Sequence, residues 1–114
     1  MSNWQIFGTR KCPETRKAER FFKSMGIKFQ LIDLKTKALS KGELSSIRRT
    51  IPLEQLINTE GAEYKKQNLQ YISHDIETQL LAHPLLLVTP VVRSGQQATV
   101  GYAPEVWKQW LANR

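Results

Sequence analysis

One sulfur nucleophile stands near the start of the chain, Cys12, in the stretch Gly8-Thr9-Arg10-Lys11-Cys12-Pro13. It is the only cysteine of the sequence, which excludes an internal disulfide, a Cys-rich zinc site and an internal Cys-x-x-Cys couple. Monothiol chemistry is what remains: a thiolate attacks an outside disulfide or an oxyanion centre, and a second, external thiol resolves the adduct. Pro13 suits the first turn of a helix, where its missing N–H costs nothing. Cys12 then stands at a helix N-terminus, whose unpaired N–H groups and positive dipole end favour thiolate over thiol. Arg10, Lys11, Arg16 and Lys17 add positive charge along the sequence. Thr15, three residues on, shares a helix face with Cys12, so its hydroxyl is placed to hydrogen-bond the sulfur. The plainer alternatives are a buried structural cysteine and a polar first-turn threonine.

The elements that must hold this thiol are legible on either side of it. Trp4-Gln5-Ile6-Phe7 is short, aromatic and β-branched and stops at Gly8, the pattern of a strand entering a loop. From Pro13 the residues Ala18, Phe21, Phe22 and Met25 recur at helical spacing, with charged residues between them and Gly26 at the left-handed C′ position. Ile27–Leu34 reads as a second strand, which makes a βαβ unit with parallel strands and a right-handed connection. Ser40-Lys41-Gly42-Glu43 has the spacing of a capping box ahead of Leu44 and Ile47, and that helix is expected to stop before Pro52. Leu53, Leu56 and Ile57 form a short apolar face and Asn58–Gly61 a turn. A helical turn is expected at Ala62–Lys66 and a longer helix at Ser73–His83, with Ile76, Leu80 and Leu81 inward. The return to β structure begins with Leu85–Val88, which runs up to Thr89-Pro90. Val91–Arg93 and Ala98–Val100 then pair as a hairpin about Ser94–Gln97, and Pro104–Leu111 closes the chain as a helix. The order is βαβ, a helical insert at about 40–83, then ββα, a single α/β domain over 1–114.

Composition narrows the function classes. With 114 residues, 40% hydrophobic and 24% charged, the chain matches globular averages, which excludes disordered, collagen-like and mucin-like proteins. Its longest apolar run, Leu85–Val88, is far short of the ~18–20 residues of a membrane span. The start Met1-Ser2-Asn3-Trp4 shows no basic and apolar leader, and a cytoplasmic location is expected. Seventeen Lys and Arg against ten Asp and Glu give a formal charge of +7, which suits either an anionic partner or a merely solvated basic surface. No base-reading motif supports nucleic acid. His74 and His83 are the only two imidazoles. With no further ligand spacing, no metal site is expected.

Several stretches together resemble one family. Phe7-Gly8-Thr9-Arg10-Lys11-Cys12 with Thr15-Arg16-Lys17-Ala18 is similar to the active-site segment of the ArsC/Spx/YffB family. Leu56–Tyr64 resembles the family's central segment, His83–Val92 its HPxLIxRPIV stretch, and Val100-Gly101-Tyr102 the ending shared by the Spx and YffB branches. The resemblance spans nearly the whole chain in order. It implies a thioredoxin-like fold, with a βαβ–ββα sheet and a helical insertion, and a cis bond at Thr89-Pro90 facing the active thiol. It also implies glutathione as co-substrate, with no tightly bound cofactor. Cys12 is then the catalytic residue, and Arg10, Lys11, Thr15, Thr89 and Pro90 bind substrate or glutathione.

Within that family the chain is similar to the YffB and Spx branches more than to the arsenate reductases. The arginines that hold the oxyanion in those reductases correspond here to Thr89, to Asn58 and to the segment Val100–Ala103, none of which supplies a guanidinium. Arg48, Arg49 and Arg93 are nearby but do not match by motif. Without planar, bidentate donors, arsenate reduction is expected to be poor. Spx-type regulators often carry Cys-x-x-Cys, but the second position here is Thr15, so an internal redox switch is chemically impossible. The resemblance therefore implies a glutathione-linked monothiol oxidoreductase acting with glutathione or a thiol protein. Its alternative is an Spx-like regulator that binds RNA polymerase.

Overall fold

Hydrophobic alternation and helix-end chemistry build a four-stranded mixed sheet. The computed structural model describes residues 4–67, 69 and 75–112. Strand β1 (Trp4–Gly8) and strand β2 (Phe29–Asp33) pair in parallel from Trp4 opposite Phe29 to Gly8 opposite Asp33. Helix α1 (Pro13–Ser24) connects them. Strand β3 (Val91–Ser94) lies antiparallel on the other side of β1 and turns back into β4 (Gln97–Val100), giving the order β2-β1-β3-β4. Gly95 takes the hairpin's positive φ of 61°, a conformation open to glycine at little cost.

Period-two alternation sends side chains to opposite faces. Trp4, Ile6 and Val92 face one layer, where Ala18 and Phe22 of α1 and Trp107 of the C-terminal helix α6 (Pro104–Ala112) complete a buried cluster. Phe7, Ile32 and Val91 face the other, packed on residues contributed between β2 and β3. That connection holds α2 (Lys41–Arg48), α3 (Leu53–Leu56), α4 (Ala62–Lys66) and α5 (Ile76–Ala82). The capping box at Ser40 is formed in both directions: Glu43 N–H donates to Ser40 Oγ at 3.0 Å, and Ser40 N–H donates to Glu43 Oε1 at 2.9 Å.

Three local expectations change. Leu85–Val88 does not begin a strand. Pro84–Leu86 is a turn of 3-10 helix, and Leu87 makes a single antiparallel bridge with Ile57. Asn58 N–H donates to Leu86 O at 2.8 Å and Val88 N–H to Leu56 O at 2.7 Å, so pairing with a segment some thirty residues earlier governs this apolar run. Helix α5 starts at Ile76 with the Asp75 side chain accepting from Thr78 N–H; the expected start at Ser73, like His74, lies outside the described residues. Met25 leaves the apolar stripe of α1 and is 47% exposed, because the helix ends at Ser24 and Met25 is its C-cap.

Candidate active site

The chain reaches Cys12 through a tight turn. Cys12 N–H donates to Thr9 O at 3.2 Å, and Arg10 and Lys11 at the turn's corners point into solvent. Cys12 is the N-cap of α1, with extended φ −77° and ψ 117°; its carbonyl accepts from Arg16 N–H at 3.1 Å. The thiol is half-buried.

Its opposite wall is Thr89, 77 positions later in the sequence. Thr89 Oγ1 donates to Cys12 Sγ at 3.1 Å, and the thiol donates to Thr89 O at 3.7 Å. The Thr89-Pro90 bond is cis. Pro90 is buried, and its carbonyl accepts from Gly101 N–H at 2.7 Å, tying the loop to the end of β4. The bridge at Ile57 and Leu87 fixes the residues just before Thr89.

Thr15 is fully buried beneath the sulfur, and its Oγ1 has no partner of standard hydrogen-bond geometry. It packs on Gly8: a Cβ there would collide with Thr15 Oγ1 and stand 2.7 Å from its Cγ2. A buried hydroxyl without a partner is costly. Ionising Cys12 gives this one an acceptor. Burial alone pushes the Cys12 thiol's pKa up. Hydrogen bonds to the anion from the Thr15 and Thr89 side chains and from the Thr15 and Glu14 backbone N–H groups more than offset this, and the pKa lies below a cysteine's ordinary value.

The expected site residues therefore separate into two groups. Cys12, Thr15, Thr89 and Pro90 come together. Arg10 and Lys11 flank the thiol in sequence but make no hydrogen bond or ion pair among the described residues, and hydrogen bonds rather than neighbouring cations favour the thiolate. Arg48 is engaged elsewhere, 3.5 Å from Glu77. Arg93 donates to Gln5 Oε1 at 2.8 Å and lies over the Phe7 ring. Gly8 is the site residue that sequence reasoning passed over. It reads as a strand stop, while its role is to leave room for Thr15, and only the three-dimensional approach of α1 to β1 reveals that.

A parallel β1–β2 pair joined by a helix, an antiparallel hairpin on the other side, and a cis-proline loop opposite the helix start define a thioredoxin-like fold. The chain belongs to the ArsC family, whose model matches residues 7–110. Among its relatives, the uncharacterised protein YusI of Bacillus subtilis is 27% identical over 106 residues, covering 87% of this chain and 90% of YusI. The global transcriptional regulator Spx 2 of Oceanobacillus iheyensis is 29% identical over 114 residues, covering 96% of this chain and 84% of that protein. Among solved structures, the YffB protein superposes with a TM-score of 0.82 at 19% identity over 94% of this chain and 97% of that one. An arsenate reductase from Vibrio cholerae gives 0.80 at 22% over 95% and 97%. At these identities the structural likeness is one of fold. Among the described residues no cluster of His, Cys, Asp and Glu could hold a metal ion, and no helix is long and apolar enough to cross a membrane.

Proposed function

We propose that the protein is a monothiol oxidoreductase that uses Cys12 and draws its reducing equivalents from glutathione. The observation that carries this reading is the cradle around the sulfur: a helix N-terminus below, Thr89 Oγ1 at 3.1 Å beside it, and a buried Thr15 hydroxyl without another acceptor. The Cys12 thiolate attacks the glutathione sulfur of a mixed disulfide. A new S–S bond forms to Cys12, the old one breaks, and the electron pair leaves on the second thiol, which takes a proton from water. A glutathione thiolate then attacks the Cys12 adduct, releasing oxidised glutathione and the Cys12 thiolate. The substrate thiol is reduced and glutathione is oxidised. Thr15 and Thr89 stabilise the anion each time it forms, Pro90 shapes the wall, and Arg10 and Lys11 present exposed cations to glutathione's carboxylates. In this reading the protein works as a single domain in the cytoplasm, where thiols are kept reduced.

Mass spectrometry after exposure to oxidised glutathione, with iodoacetamide rates measured against pH, tests this. A glutathionyl adduct on Cys12 and half-maximal alkylation below pH ~8.5 are expected. No adduct, or a thiol titrating at or above that value, overturns it. Arsenate should be turned over poorly with glutathione and glutaredoxin, since losing a single anion-stabilising donor costs ~10²–10³ in rate in well-studied sites. Thr89→Arg should raise any trace activity.

The 29% identity to Spx 2 over 96% of the chain favours a second reading, a regulator that binds RNA polymerase. Recovery of polymerase subunits in a pulldown from cytoplasm, unchanged by Cys12→Ser, is its distinguishing result.

A further inference from the structure

Helix α1 presents three buried residues to the sheet, Thr15, Ala18 and Phe22. On the opposite strip, at 3.6 residues per turn, lie Arg16, Lys17, Arg20 and Lys23, all exposed. Arg10 and Lys11 continue the strip across the turn before Cys12, also exposed. Of these six cations only Lys17 has an acidic mate among the described residues, Glu14 at 3.4 Å. Lys17 also lies 6.0 Å from the Tyr102 ring, which is 40% exposed. The acidic residues of the helix, Glu14 and Glu19, sit at the flanks of the strip. A row of like charges about 15 Å long, at 1.5 Å per helical residue from Pro13 to Lys23, thus ends at a reactive sulfur. Inside that end, the fully buried Thr15 hydroxyl awaits an acceptor.

We infer that the basic strip of α1 is a docking surface for an acidic segment of a protein substrate, whose mixed disulfide with glutathione it delivers to Cys12. This rests on the monothiol exchange proposed above and adds the class of substrate. At about 3.3 Å per residue, four or five extended residues span the strip, so acidic side chains clustered on one side of a substrate cysteine match it. Nucleic acid meets the charge but not the chemistry, since it brings no sulfur to the end of the row. Exposed charge pairs add little to affinity individually but steer encounter, so their effect is on association and disappears with salt.

The test uses three synthetic peptides, each with one cysteine in mixed disulfide with glutathione and flanked by acidic, neutral or basic residues. Reduction is followed with glutathione in excess. We expect kcat/KM for the acidic peptide to exceed that for the neutral one roughly tenfold at low salt. The preference should vanish as the Debye length is cut from ~10 Å to ~3 Å. The double substitution Arg20→Glu with Lys23→Glu should abolish the preference, whereas Lys65→Glu with Lys66→Glu on α4, an equal change in net charge, should preserve it. Equal rates on all three peptides overturn the docking surface while leaving the exchange chemistry standing. Equal loss of preference in both double variants overturns it in favour of overall charge. Saturable binding of a short DNA duplex that Arg20→Glu with Lys23→Glu removes, without any peptide preference, overturns it in favour of nucleic acid. No reduction of any peptide overturns the exchange reading itself.

Discussion

The two faces of the sheet are built in different ways. On one, four large aromatic rings interlock: Trp4 meets Phe22 edge to face at 5.1 Å, and Trp107 meets Phe22 at 5.0 Å and Phe21 at 5.6 Å. Two long helices supply that layer, and Trp107 Nε1 is fastened to Thr99 Oγ1 at 2.8 Å. On the other face, aliphatic side chains from short helical pieces fill the layer, among them Leu44, Ile47, Leu56, Leu80 and Leu86. A single β-bridge draws two of those pieces together. The sulfur stands where the layers meet. Thr15 comes to it on α1, from the aromatic side, and Thr89 comes at the end of the aliphatic connection. Such a division lets one layer set the position of the nucleophile and the other the position of its partner.

Substitutions on each side break this comparison in order of severity. Trp107→Ala should cost about 3–5 kcal/mol and Leu86→Ala about 2–5 kcal/mol in denaturant unfolding. The more telling readout is the thiol. Leu86→Ala should weaken the Thr89 contact and raise the Cys12 pKa even where the protein remains folded. If alkylation profiles stay unchanged in folded Leu86→Ala, the aliphatic layer does not position the partner. Gly8→Ala strikes the seam itself. Its Cβ would displace Thr15, at a cost of about 1–3 kcal/mol from overpacking, with a raised Cys12 pKa in the same alkylation assay. Ser40→Ala, which removes the capping box far from the thiol, should lose about 1 kcal/mol and leave the alkylation profile where it was.

Proton linkage sharpens the comparison with the least effect on stability. The folded protein lowers the Cys12 pKa, so the folded state binds its proton more weakly than the unfolded state. The resulting stabilisation is fully present above the unfolded thiol's value of ~8.5 and is lost as pH falls through the lower folded value. Unfolding curves of the wild type and Cys12→Ser should diverge as pH rises through that window and run parallel below it. Thr15→Val and Thr89→Val should each narrow the divergence, Thr15→Val by more, since its side chain is the stronger of the two in favouring the anion. Equal curves throughout would show that the cradle does not favour the thiolate.

What could be read from the sequence follows the reach of each interaction. The cap at Ser40, the start at Pro13, the left-handed Gly26 and the parallel β1–β2 pair depend on neighbours a few residues apart or on simple alternation, and each is formed. The apolar run at 85–88 depends on Ile57 and Asn58, and its neighbours in sequence carry no trace of that. The site divides in the same way. Cys12 and Thr15 share a helix turn and could be paired from spacing. Thr89 came from the family resemblance rather than from periodicity. Gly8 escaped notice because what matters there is an absence of atoms facing a residue seven positions away. Arg10 and Lys11 adjoin the sulfur in sequence and are exposed on the turn through Thr9 and Cys12, while the lowered Cys12 pKa comes from hydrogen bonds that spacing alone reveals only at Thr15.

The aromatic layer also decides what light can report. All three tryptophans, Trp4, Trp107 and Trp110, belong to the same cluster, and Trp4 and Trp110 have ring centroids 5.6 Å apart. None lies in the aliphatic layer. Indole emission is therefore a one-sided gauge: it follows the seating of α1 and α6 and is blind to the short helices across the sheet. Far-ultraviolet circular dichroism weighs the helices of both layers, so superimposable denaturation curves from the two signals would mark the layers as a single cooperative unit. An emission change lagging behind the loss of ellipticity would identify the aliphatic side as the first to open.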